Sequence, residues 1–62
     1  MITLTKLNNE SFILNSDLIE VIEERPDTTI RISSGEYFLV AESAAEVVKK
    51  IISYKRKLYK QR

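Results

Sequence analysis

From Ala44 to the end of the chain there is neither Gly nor Pro, and Ser43-Ala44-Ala45-Glu46 stands at the head of this run. Ser-x-x-Glu is a capping box, in which the serine oxygen and the glutamate carboxylate satisfy each other's otherwise orphaned backbone N–H groups. Behind it, Ala44, Val47, Ile51, Tyr54 and Leu58 step by three and four residues down one side, and Val48, Ile52 and Tyr59 widen that stripe. A stripe covering nearly half the circumference suits packing on a sheet better than a narrow coiled-coil seam. The pattern therefore predicts a helix over about residues 44–60 that must close a β layer built from about residues 2–41.

The preceding residues alternate in the short runs that such a layer needs. Ile2-Thr3-Leu4-Thr5 has the period of two expected of a half-buried strand. Asn8-Asn9 supplies residues that tolerate positive φ for a tight hairpin, and Ser11 to Leu14 returns as a second strand. After the turn-forming Asn15-Ser16-Asp17, Leu18 to Glu24 reads as the third strand, and Pro26 lies in the turn that follows. Thr29 to Ser33 and Glu36 to Val40 complete the set around a second two-residue turn at Ser34-Gly35. Connections this short fit an antiparallel meander. The expected fold is α+β: a small, strongly bent five-stranded antiparallel sheet or barrel with one C-terminal helix, as a single domain over 1–62.

Strand three presents Leu18 and Ile22 to one side but Ile19 and Val21 to the other, and strand five sets Tyr37 and Leu39 against Phe38 and Val40. One helix covers one face, so the other face calls for barrel closure or a second subunit. A 62-residue chain without cysteine or histidine has no disulfide or thiolate–imidazole metal site to supplement so small a core. These constraints point to a homo-oligomer.

Charge is divided sharply along the chain. Residues 1–42 carry three basic against eight acidic side chains, a net of −5, whereas 43–62 carry seven against one, a net of +6. The absence of histidine removes the commonest general base and zinc ligand. There is no Gly-rich phosphate loop and no G-x-S-x-G nucleophile elbow. Glu20, Glu23, Glu24 and Asp27 do not have calcium-loop spacing and read as a solvated strand face. The expectation is a protein that is not an enzyme and holds no cofactor or metal. The chain has no apolar run of bilayer-spanning length and opens without a signal-peptide pattern, so a cytoplasmic location is expected.

A helix of 17 residues measures about 25 Å, longer than the strands beneath it. Its last turns are expected to overhang the sheet, carrying Lys55, Arg56, Lys57, Tyr59 and Lys60. These five are the candidate partner-binding residues, chosen by charge and exposure. Lys55 falls inside the apolar arc and is expected to snorkel or to meet an acidic partner.

Met1-Ile2-x-Leu4-Thr5-x-Leu7-Asn8, Asp17-Leu18-Ile19-Glu20, Ile22-Glu23-Glu24-x-Pro26-Asp27-Thr28, Val40-x-Glu42-Ser43-x-x-Glu46-Val47 and Tyr54-Lys55-Arg56 together resemble the FlbD/SwrD family of small bacterial flagellar proteins. The resemblance runs over nearly the whole chain. One departure is Asn9, where the family usually carries Gly. What the resemblance implies is a non-enzymatic cytoplasmic accessory of the flagellar system, linked to swarming and to the power delivered by the motor's stators. A flagellar motor or stator protein is then the expected partner, met at the cytoplasmic face of the motor. There is no family catalytic residue to carry over.

A second resemblance belongs to another class. Five strands followed by one helix, opening Met-apolar-x-Leu-Thr-basic, is similar in outline to the carbon storage regulator family of dimeric RNA-binding translational regulators. It implies RNA contacts from Lys6 and from the junction between strand five and the helix. That junction reads Val40-Ala41-Glu42-Ser43-Ala44-Ala45-Glu46, with acid where a phosphate-binding arginine is needed. Nucleic acid is accordingly not the expected ligand.

Overall fold

The computed structural model describes residues 1–60, with side chains as far as Leu58. The elements in chain order are β1 (Ile2–Thr5), β2 (Ser11–Leu14), a 3-10 turn (Ser16–Leu18), β3 (Ile19–Glu24), β4 (Thr28–Ile32), β5 (Tyr37–Val40) and α1 (Ala44–Lys60). They form two antiparallel sheets, β1-β2 and β3-β4-β5, in place of the expected single five-stranded sheet or closed barrel. The reason lies at the junction of β1 and β5. The two strands meet where each is ending, so one bridged pair, Lys6 with Val40, is all that fits among the described residues. Ala41 N–H donates to the Thr5 carbonyl at 2.8 Å beside that bridge. Phe12 of β2 stacks on Phe38 of β5 across the same seam, with ring centroids 5.5 Å apart.

Both hairpins are built to one plan. Lys6 N–H donates to the Glu10 carbonyl and Asn9 N–H to the Lys6 carbonyl; Ile32 N–H donates to the Glu36 carbonyl and Gly35 N–H to the Ile32 carbonyl. Each loop therefore has three residues rather than the expected two: a tight turn whose third residue takes the left-handed conformation. Asn9 has φ 71° and Gly35 has φ 93°. Asn9 is thus the non-glycine answer to the requirement that Gly35 meets without a side chain. In both loops the closing glutamate is held by the middle residue: Asn8 Nδ2 donates to Glu10 Oε1 at 2.7 Å, and Ser34 Oγ donates to Glu36 Oε1 at 3.2 Å.

The two-sided apolarity of strand three has a local solution. Leu18 belongs to the 3-10 turn and is 40% exposed, so the strand starts one residue later than the alternation indicated. A bulge at Glu20 then shifts the register, with Ile19 opposite Ile32 but Val21 opposite Arg31. The extra residue changes the parity of the strand. Ile19 and Ile22, three apart, both pack against the core, and Val21 is turned outward beside Glu23, Thr29, Arg31 and Tyr37. The turn after β3 contains a cis peptide bond between Arg25 and Pro26.

The buried core comprises Ile2, Leu4, Leu14, Ile30, Ile32, Val40 and Val47, drawn from both sheets and the helix. α1 lies against β1 and β3, and Val47 is its one fully buried side chain among those described. Ile51 and Tyr54 pack at the margin of the core. Val48 and Ile52, expected to share the packed stripe, remain 45% and 47% exposed. The helix thus uses only the nearer half of its apolar arc.

A Cβ built on Gly35 meets nothing within 4 Å, so substitution there is limited by backbone conformation alone. Gly35→Ala should cost about 1 kcal/mol in denaturant unfolding, and Gly35→Asn should recover most of that loss, because Asn already occupies the equivalent place in the first hairpin. Equal destabilisation by Ala and Asn would contradict the shared loop plan.

Candidate functional site

The β5–α1 junction is organised by carboxylates. Glu46 N–H donates to Ser43 Oγ and Ser43 N–H donates to Glu46 Oε1, both at 3.2 Å, forming the capping box expected from Ser-x-x-Glu. A third donor at the helix start, Ala44 N–H, is taken by Glu24 Oε1 of β3 at 2.8 Å. Negative charge here also opposes the positive end of the helix dipole. Glu24 and Ala44 are twenty positions apart, so no local pattern announces this contact.

Glu42 plays the complementary role toward β1. Its Oε1 accepts the Thr5 backbone N–H at 3.0 Å, and its Oε2 accepts the Thr5 hydroxyl at 2.9 Å. The acid that counted only as repulsion toward phosphate in the sequence is therefore a clamp between the two sheets. Burial pushes the Glu42 carboxyl upward, but hydrogen bonds from Thr5 and the nearby Lys50 outweigh it and hold the carboxyl below its ordinary value.

Lys6, the other residue implicated by the RNA-regulator resemblance, places its Nζ over the Phe12 ring at 5.9 Å from the centroid. This is a cation–π contact across the first hairpin.

Two basic regions remain. The first is an open groove of about 680 Å³ between the start of β1 and the flank of α1, with Lys49, Lys50, Ser53, Tyr54 and Lys57 on the helix side. Met1, Ile2 and Thr3 form its other wall, and Glu46 is the acid that lines it. Of the candidate residues chosen by charge and exposure whose side chains are described, only Lys57 lines this groove, because it is formed only when Met1–Thr3 come alongside the helix.

The second region is the helix end. Lys55, Arg56 and Lys57 are all exposed, as is Leu58. Lys55 is exposed, as the half-uncovered apolar arc around it allows. The helix backbone continues through Tyr59 and Lys60, but the side chains of these two candidates lie outside the described residues. Lys55, Arg56 and Lys57 follow one another near the end of the helix and so fan out around its axis, with Lys57 on the groove side.

Among the described residues no group of three or more acidic, histidine or cysteine side chains is arranged to hold a metal ion. No helix among them is long and apolar enough to cross a membrane.

The lowered Glu42 pKa fixes a direction for stability against pH. Its contribution is complete above the unfolded carboxylate range, about pH 4.3, and is lost as pH falls through the lower folded value. Glu42→Gln should flatten the acid limb of the stability profile and lower stability at pH 7. A variant profile parallel to the parent's across the acid range would remove the clamp from the account.

No curated protein and no solved structure matches this sequence. The family model FlbD, described as flagellar and swarming motility proteins, matches residues 1–59. With nearly every residue of its two sheets and helix inside that match, the chain belongs to the FlbD family of flagellar and swarming motility proteins.

Proposed function

We propose that this protein is a non-enzymatic accessory that supports the power of the flagellar motor, and so swarming, through protein–protein contacts. The observation that carries the reading is the exposed cationic end of α1, where Lys55, Arg56 and Lys57 follow one another beyond the packed part of the helix. None of the three has a hydrogen bond or ion pair that ties it to the protein's own described residues. A helix end of this kind is suited to an acidic surface on a motor or stator component at the cytoplasmic face of the membrane. Charge there steers encounter more than it supplies affinity, so the contact should be sensitive to salt.

The contrasting reading, an RNA-binding regulator, has less support in the geometry. Glu42 and Glu46 occupy the β5–α1 junction as hydrogen-bonded carboxylates, and Lys6 is placed over Phe12. Phosphate approaching that junction would meet fixed negative charge.

Single-motor torque at high load, measured in a deletion strain with filaments and flagellin transcripts counted alongside, separates the two. The motor reading expects normal filament number with low torque. Altered filament number or transcript stability with normal torque per motor would sink it. Lys55→Glu, Arg56→Glu and Lys57→Glu in combination should abolish complementation while leaving the unfolding midpoint nearly unchanged, since all three sites are exposed. A fully functional triple variant would take the helix end out of consideration.

A further inference from the structure

The groove between β1 and α1 ends on an unfinished strand edge. Hydrogen bonding from Lys6 to Glu10 fixes the parity of β1: Lys6, Leu4 and Ile2 address β2, while Thr5 and Thr3 face the other way. On that other side Thr5 is satisfied by Glu42 and by Ala41 N–H. Thr3 has no such partner: opposite Ile13 it falls at a non-bonded position of the β1–β2 ladder, and no loop backbone or side chain among the described residues bonds to it. An unpaired edge of this kind is a template for another strand. Here it opens into a groove whose helix wall carries Lys49, Lys50 and Lys57.

The same chain carries the complementary feature on its other sheet. β3 is the terminal strand of the three-stranded sheet, paired with β4 on one side only. It carries Glu20 and Glu23, both exposed, with Asp17 exposed just before it. The acidic edge and the lysine-lined edge belong to different sheets, so one molecule presents both at once.

We propose that the groove is filled by β3 of a second copy of this chain, which adds to the Thr3 edge of β1 with its glutamates facing Lys49, Lys50 and Lys57. Charge complementarity selects this occupant: the groove walls carry three lysines against Glu46, and the strand that answers them belongs to the acidic 1–42 portion of the chain. A two-fold arrangement makes the contact twice, each copy giving β3 and receiving it. The backbone bonds at Thr3 set the register, and the lysines set the choice of strand. This inference concerns assembly and shares only Lys57 with the motor reading, so its test leaves that residue unchanged.

The test uses variants that leave Lys50, beside Glu42, and the Lys55–Lys57 end untouched. Lys49→Glu with Ser53→Glu reverses the groove, and Glu20→Lys with Glu23→Lys reverses the strand. Sedimentation equilibrium of the full chain up to about 1 mM should show a dimer for the parent, weakened at high salt. Each charge-reversed variant alone should be at least tenfold weaker, and an equimolar mixture of the two should recover a heterodimer. Recovery on mixing also guards against misfolding as the cause of either loss. Thr3→Pro, which removes the edge N–H without touching a β1–β2 bond, should weaken the dimer as well. A parent that stays monomeric throughout overturns the proposal. So does a dimer indifferent to the charge reversals and to Thr3→Pro, which would instead direct attention to the bare Val48–Ile52 flank.

Discussion

The two sheets share one apolar core and the Phe12–Phe38 stack, but their backbones meet at a single bridged pair, and the Glu42–Thr5 clamp is what ties that junction. The carboxylate takes both the backbone and the side-chain donor of Thr5, fixing the end of β1 against the exit of β5. Because Ser43 follows immediately, the same few residues also set where α1 begins. Val47, one turn further on, is then delivered into the gap between the sheets as a fully buried side chain. Sheet joining, helix initiation and core closure are thus one event in space, carried by seven consecutive positions, 41–47. Loss of the clamp would leave the Thr5 N–H without an acceptor in a partly buried site, which costs more than the bond itself contributes.

Acidic residues in this protein therefore do two kinds of work. Glu24, Glu42 and Glu46 are consumed internally by backbone donors at the helix start and the sheet seam. Glu20 pairs loosely with Arg31 at 3.7 Å on an exposed face, a contact of small energetic weight. Glu23 and Asp17 remain outward. Of the eight acids in 1–42, Glu24 and Glu42 are taken up in this way, while Asp17, Glu20 and Glu23 on or just before β3 and Glu10, Asp27 and Glu36 in the turns stay exposed.

Much of the fold could be read directly because its cues are local. The capping box located α1 from four letters, and alternation located β1, β2 and β4 to within a residue. What could not be read was non-local or depended on one inserted residue. The bulge at Glu20 has no distinctive sequence, yet it turns Val21 outward and gathers Ile19 and Ile22 on the core side. The division into two sheets depends on how far β1 and β5 overlap, which no run of residues encodes. The exposed cationic end of α1 was legible because it is a contiguous charge run. The groove was not, since it needs Met1–Thr3 brought alongside residues nearly fifty positions away.

The uneven anchoring of α1 gives the helix a fixed end and a free one. Its first turn is held by Ser43, Glu24 and Val47, while every described side chain from Lys55 onward faces solvent. Opening should begin at the free end and travel backward, with amide protection graded along the helix axis while the sheets remain closed. A partner gripping the cationic end would hold a lever some 20 Å from its pivot, and any displacement it imposed would be felt first at the Glu42–Thr5 seam.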